Sequence, residues 1–141
     1  PLHSGDLVMV RVRAPGVTSV VPPELDGANC ASMLVIRRSS NFVSPWLCYA
    51  LNSKYLRSQV EVVQYGAAQE QFNVSHAVNF LLAVPSPPEQ KDIADYLDCE
   101  TTTIDALVAK VREAIDRLKE YRTALISAAV TGKIDVREVA A

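Results

Sequence analysis

Ser86-Pro87-Pro88-Glu89-Gln90-Lys91-Asp92-Ile93-Ala94-Asp95-Tyr96-Leu97 opens a stretch that runs to Gly132 and decides how this chain is built. Its start predicts a capping box: the Ser86 hydroxyl accepts from free helix N–H groups and Glu89 reaches back. Pro87 takes the first helical position, where a missing N–H costs nothing. Leu97, Ile104, Val111, Leu118 and Leu125 then recur every seven residues, with Ile93, Leu107, Ala114, Tyr121 and Ala128 between them. This is an a/d seam of about five heptads, interrupted by one charge, Glu100. Val108 and Ile115 widen the stripe. Gly132 supplies the stop. At ~1.5 Å per residue the helix would be a rod of roughly 65 Å, too long for the remaining residues to cover. It is expected to project, to pair with another helix, or both; the plainer alternative, a helix packed on its own domain's core, is opposed by length for most of the rod.

The totals agree with a small globule plus such a helix. The chain has 141 residues, 49% hydrophobic and 21% charged, and a formal charge of −2. No apolar run reaches the ~18–20 residues of a membrane span, and the first residues do not read as a signal peptide. Cys30, Cys48 and Cys99 are odd in number and lack CxxC spacing, which argues against a disulfide framework or zinc site and for a reduced, cytoplasmic setting. Residues 1–85 carry six Arg/Lys against five Asp/Glu, whereas 86–141 carry eight against eleven. A DNA-facing surface would therefore lie on the first part and rest on local clustering.

Upstream of the helix, Leu7-Val8-Met9-Val10-Arg11-Val12 reads as a strand launched by Gly5-Asp6, with Thr18 to Val21 as its hairpin partner across Pro15-Gly16. Alternation places Arg11 and Arg13 on one side of that strand. Ala31 to Ile36 is the next strand. Ser44-Pro45 opens a helix through Leu56. Residues 64–75 show no period and are rich in amides. Ser75 is expected to cap one turn of helix, and Phe80-Leu81-Leu82-Ala83-Val84 to form a last strand. The fold class is therefore α/β (α+β): a small globular domain over 1–85, a long coiled-coil-forming helix over 86–132 and a tail over 133–141.

Little here reads as catalysis. His3 and His76 stand alone, without a carboxylate or cysteine at ligand spacing. Asp92, Asp95, Asp98 and Glu100 suit the positive end of the helix dipole better than a metal. There is no GxGxxG, Walker loop, GxSxG or HExxH. Two sets of residues remain. Gln64, Gln69, Gln71 and Asn73 could engage adenine edges, with Gly66, Ala67 and Ala68 letting backbone approach a phosphate; an ordinary polar loop is the alternative. Arg11, Arg13, Arg37, Arg38, Lys54 and Arg57 could meet phosphates, or be scattered surface charge.

With these residues in view, the chain resembles the specificity subunits of type I restriction–modification systems. Gly5-Asp6-Leu7-Val8 is like the strand entry of their target-recognition domains. Trp46-Leu47-Cys48-Tyr49-Ala50-Leu51-Asn52-Ser53 is like their helix ending in Leu-Asn-Ser. Gly66-Ala67-Ala68-Gln69 with Asn73-Val74-Ser75 is similar to their Gly-Ser/Thr-Thr-Gln…Asn-Ile-Ser stretch, without its hydroxyls. The most specific piece is Pro87 to Asp98 followed by Ile104-Asp105-Ala106-Leu107, closed by Tyr121 to Ile126 and Val130-Thr131-Gly132-Lys133.

The resemblance implies a non-catalytic reader of double-stranded DNA. One recognition domain reads half of a bipartite site, and long antiparallel helices space the halves and dock the modification (methyltransferase) subunits. S-adenosylmethionine, ATP and Mg are expected on those and on the restriction subunits, none on this chain. Family members carry two recognition domains and two helices, so this chain reads as a C-terminal fragment lacking ~50–60 opening residues of one domain. Arg11, Arg13, Lys54 and Arg57 are expected at phosphates, and Gln64, Gln69, Gln71 and Asn73 near bases. Ile93, Leu97, Ile104, Leu107, Val111, Leu118, Tyr121 and Leu125 are expected to associate with another helix. The alternative is an assembly module that pairs with a second copy of itself in antiparallel fashion and binds no DNA. A stand-alone nuclease or methyltransferase would need a cofactor motif that is absent.

Overall fold

The computed structural model describes residues 1–65 and 72–137. These form two compact units, Pro1–Tyr96 and Leu97–Ala141. In the first, β1 (Leu7–Val10) lies between β2 (Thr18–Val20) and β3 (Met33–Ile36), antiparallel to both. Leu7 is opposite Val20 on one side and Ile36 on the other. Leu7 and Met9 are buried while Val8 and Val10 are half-buried, the alternation of a sheet with one covered face. The strand ends at Val10, because the chain turns there: Arg13 has φ 69° and Gly16 φ 83°. Gly16 also lies against Val60, where a Cβ would come 2.8 Å from a methyl. Glycine is required at this position by both backbone and space.

The covering layer is α1 (Ser44–Asn52), α2 (Lys54–Tyr65) and a single turn, α3 (Val74–Ala77). Trp46, Leu47 and Leu51 of α1 join Leu56 and Val60 of α2, Phe72, and the sheet residues Leu7, Met9 and Leu34 in one core. The Ser44-Pro45 start holds, but Ser44 is not the cap: Val43 is, and the Ser44 hydroxyl donates to the Gly5 carbonyl at 2.6 Å. The expected helix through Leu56 is in fact two helices. Ser53 breaks α1 with ψ 152° and starts α2, its hydroxyl accepting from the Leu56 N–H. The helix α2 was hidden in the sequence by Val60, Val62 and Val63, β-branched residues whose local preference is outweighed by burial of Leu56 and Val60 one turn apart. Asn52 binds across to β2, accepting from the Thr18 N–H at 3.1 Å and donating to its carbonyl at 2.8 Å.

Two further expectations are corrected. The cap of α3 is Asn73, not Ser75, in a box with His76 Nδ1 accepting from the Asn73 N–H. Phe80 to Val84 is not a strand. Its alternation is real, with Phe80 and Leu82 packed on the core and Leu81 turned outward. Its backbone partner, however, is a side chain: Gln59 of α2 donates to the Leu81 carbonyl and accepts from its N–H, both at 3.0 Å. One amide thereby does what a neighbouring strand would do.

The long helix α4 spans Pro87–Val130. Its first turns, through Tyr96, belong to the first unit, where Gln90 and Ala94 are buried. The expected capping box is not closed. The Ser86 carbonyl accepts the Gln90 N–H at 2.9 Å, but among the described residues neither the Ser86 hydroxyl nor Glu89 completes it. The stop is as the sequence reads. Gly132 has φ 72° and donates to the Ala129 carbonyl while Lys133 donates to that of Ala128, a Schellman motif. In the second unit, Leu97–Ala141, the described side chains are mostly exposed.

Buried Asp6 holds the start of the sheet together. Its carboxylate accepts from the N–H groups of His3 and Arg38, both at 3.0 Å, and from the Arg37 guanidinium at 2.5 Å. Burial alone would raise its pKa, but these donors outweigh it and hold it below the ordinary carboxylate value. Because the folded pKa is depressed, this stabilisation is fully present above the unfolded pKa near 3.8 and is lost as pH falls through the folded value. Asp6→Asn is expected to cost about 1–3 kcal/mol at neutral pH. It should also flatten the loss of stability below pH ~4, as followed by denaturant titrations across the acid range.

Candidate nucleic-acid interface

The cations split between the two ends of the sheet. Arg37 and Arg38 follow β3, beside the start of β1, and Arg37 is engaged by Asp6. Arg11 and Arg13 lie at the other end, in the turn after Val10. The six therefore do not make one face.

Around the β1–β2 turn, however, several of the expected residues are drawn together. Arg57 donates from Nη1 to the Pro15 carbonyl at 3.3 Å, which ties α2 to the turn. Lys54 lies one helical turn earlier on α2 and is exposed, as is Arg13. Arg11 donates from Nε to the Phe72 carbonyl at 3.0 Å and from Nη2 to Asn73 Oδ1. The physical reason is alternation: Arg11 follows Leu7 and Met9 on the covered side of β1, so its stem runs toward the core and its head meets the chain leaving Phe72. Its guanidinium and the Asn73 side chain are thus engaged with each other. Arg13 and Lys54 are left as the exposed cations of this group. Gln69 and Gln71 lie outside the described residues. Gln64 falls in the last turn of α2, and its side chain is not among those described.

The helix-association residues occupy α4. Ile93 and Leu97 lie near its buried start, at the edge of exposure and half-buried respectively. Ile104, Leu107, Val111, Leu118, Tyr121 and Leu125 keep 46–67% of their surface exposed. These residues form an exposed apolar stripe along the described part of α4. Its flanks are polarised. From Glu89 to Asp105 six residues are acidic and only Lys91 is basic; from Lys110 to Val130 five are basic and three acidic. A helix dipole accounts for charge preference only in the first and last turns, so the split is wider than the dipole explains.

Several side chains that tie the first unit together carry no functional signal in the sequence. Asp6, Asn52, Gln59 and Gln90 are all polar side chains pairing with backbone across the fold. Nothing in their spacing reveals the partner, which lies 22 to 47 residues away in sequence. Among the described residues there is no group of three or more His, Cys, Asp or Glu that could hold a metal ion, and no helix long and apolar enough to cross a membrane.

No family model matches the chain. Two curated proteins do: the type I restriction enzyme StySPI specificity subunit of Salmonella potsdam, 28% identical over 109 residues, and the EcoKI specificity subunit of Escherichia coli K12, 30% identical over 110. Each match takes in 77% of this chain. The crystal structure of an HsdS subunit from Thermoanaerobacter tengcongensis superimposes on 90% of the chain with a TM-score of 0.57 and 25% identity. This chain is a relative of the type I specificity subunits. It spans 23% of the length of each curated relative and 30% of the HsdS chain. The small antiparallel sheet, its covering helices and the long final helix make an HsdS-like fold, as the resemblance implied.

Arg11 and Arg13 should separate by experiment. Arg11→Ala removes a tether between β1 and Phe72–Asn73 and is expected to lower the melting temperature by about 4–8 °C, the equivalent of one lost hydrogen-bonded contact in a domain of this size. Arg13→Ala, exposed and without such a tether, should leave it unchanged in the same calorimetric scan.

Proposed function

We propose that this chain is a DNA-reading segment of a type I specificity subunit. In this reading residues 1–85 contribute to the reading of one half of a bipartite site, and residues 86–132 form the spacer helix and the docking surface for modification subunits. The observation that carries it is the match to two specificity subunits across 77% of the chain, joined to an HsdS-like fold. Arg13, Lys54 and Arg57, grouped about the β1–β2 turn, position phosphates; Arg11 and Asn73 shape the segment next to them. Gln64, Gln69 and Gln71 are the base-reading candidates. The chain is itself non-catalytic. S-adenosylmethionine, ATP and Mg are used by the modification and restriction subunits that it directs to a site.

Alanine at Arg13 or Lys54 is expected to weaken binding to every sequence and reduce the slope of log K against log salt by about one for each phosphate contact removed. Alanine at a base-reading glutamine should instead cost ~1–3 kcal/mol at one position of the site. The measurement is DNA binding and methylation mapping by the complete subunit with its modification partner. Unchanged binding after alanine replacement of all eight candidates, Arg11, Arg13, Lys54, Arg57, Gln64, Gln69, Gln71 and Asn73, would sink the DNA-facing assignment.

A second reading, self-association through α4, is favoured by the charge split. Two copies laid antiparallel set the acidic first half of each helix against the basic second half of the other, whereas parallel copies set like against like. Light scattering should then show a dimer that weakens with added salt and with Leu118→Lys. A monomer at high concentration rules this reading out.

A further inference from the structure

The sheet order β2-β1-β3 makes β3 an edge strand: it pairs with β1 on one side, and among the described residues no strand pairs with its other side. A groove of about 450 Å³ is lined by Leu34, Val35 and Ile36 of β3, by Phe80, Leu82 and Val84, and by buried residues of α1 and α2. Leu34 and Ile36 share the covered face of the sheet with Met9 and Leu7, whereas Val35 stands opposite half-buried Val8 on the other face. A groove touched by both sets follows the edge of the strand rather than one face. Across it, Phe80, Leu82 and Val84 are every second residue of their segment.

The groove is apolar in its side chains and polar in its backbone. The free side of β3 carries the alternate N–H and C=O groups that the β1 ladder does not use. Among the described residues no hydrogen bond reaches the backbone of Leu82, Ala83 or Val84. An extended segment answers both needs, pairing through its main chain while every second side chain enters the groove. A helix answers only one, because its own backbone bonds are closed within it. Nor is β3 protected as a permanent edge would be: Met33-Leu34-Val35-Ile36 holds no charge and no proline. Val74, Val78 and Val84, which also line the groove, keep 52–72% of their surface exposed. The source of the segment follows from length. About three quarters of each curated specificity subunit lies outside the stretch matched here. A strand in the same polypeptide meets the groove at an effective concentration that a separate partner does not reach.

We propose that the open edge of β3 and the groove beside it receive an extended, alternately apolar strand from the part of the specificity subunit outside this chain, which joins the sheet next to β3. This rests on the specificity-subunit reading above.

The test uses the complete specificity subunit with its modification subunits. Val78 and Val84, at exposed positions of the groove, are replaced one at a time by the photo-cross-linking residue p-benzoylphenylalanine, and the irradiated complex is digested and mapped by mass spectrometry. The expected cross-link is within one polypeptide, to a segment outside these 141 residues, with no band of higher mass on a denaturing gel. Hydrogen exchange on the unsubstituted complex needs no variant to fold. There the amides of Met33–Ile36 and of Leu82, Ala83 and Val84 are expected to exchange about a hundredfold or more slower than in an unstructured chain. The proposal needs both results. A cross-link to a modification subunit, to a second copy or to nothing overturns it, and so does fast exchange at Leu82, Ala83 and Val84. Methylation by the same complex checks the reading beneath it. A preferred DNA site with a failed cross-link overturns the strand alone, whereas the lack of any preferred site overturns the specificity-subunit reading and the strand with it.

Discussion

A polar side chain inside a core must find partners there, and the architecture of this chain turns on one that does. The Gln90 amide accepts from the Val43 N–H and donates to the Asn41 and Pro85 carbonyls, so the first turn of α4, the cap of α1 and the segment entering the helix are one hydrogen-bonded junction. Gln90 thus fixes the first turn of α4 within the sheet-based unit.

The same device recurs through the first unit. Asp6 gathers His3, Arg37 and Arg38; Asn52 holds both backbone groups of Thr18; Gln59 pairs with both of Leu81. A three-stranded sheet of three- and four-residue strands offers few ladder bonds, and the segments around it still carry backbone groups that must be paired. Side-chain amides and a carboxylate supply what a larger sheet would supply with strands. Among the described residues no buried side-chain nitrogen or oxygen is left without a partner.

The two surfaces that remain open are of different character. Near the β1–β2 turn, Arg13 and Lys54 are exposed cations beside a framework held by Arg11 and Arg57. Along α4 the exposed stripe is apolar, flanked by acids early and bases late. The first is cationic and the second apolar, and they lie on different units of the chain. Arg11 shares the parity of buried Leu7 and Met9, and its guanidinium is engaged by the Phe72 carbonyl and the Asn73 side chain.

The amino-acid sequence by itself determined the long helix, its seven-residue seam and its glycine stop, because helical periodicity and C-capping are local: the residues that decide them lie within a few turns of one another. It also determined the hairpin and the third strand, whose β-branched runs and turn residues are equally local, and the resemblance to specificity subunits. Tertiary structure alone decided the rest. The break at Ser53, the helix α2 and the non-strand path of Phe80 to Val84 depend on what the core buries and on Gln59, 22 residues from Leu81. The roles of Asp6, Asn52 and Gln90 depend on partners 31 to 49 residues distant. A polar side chain in a sequence carries no mark of which backbone it will meet; only the packed chain assigns it one, and here those assignments hold the sheet, its helices and the start of the rod together.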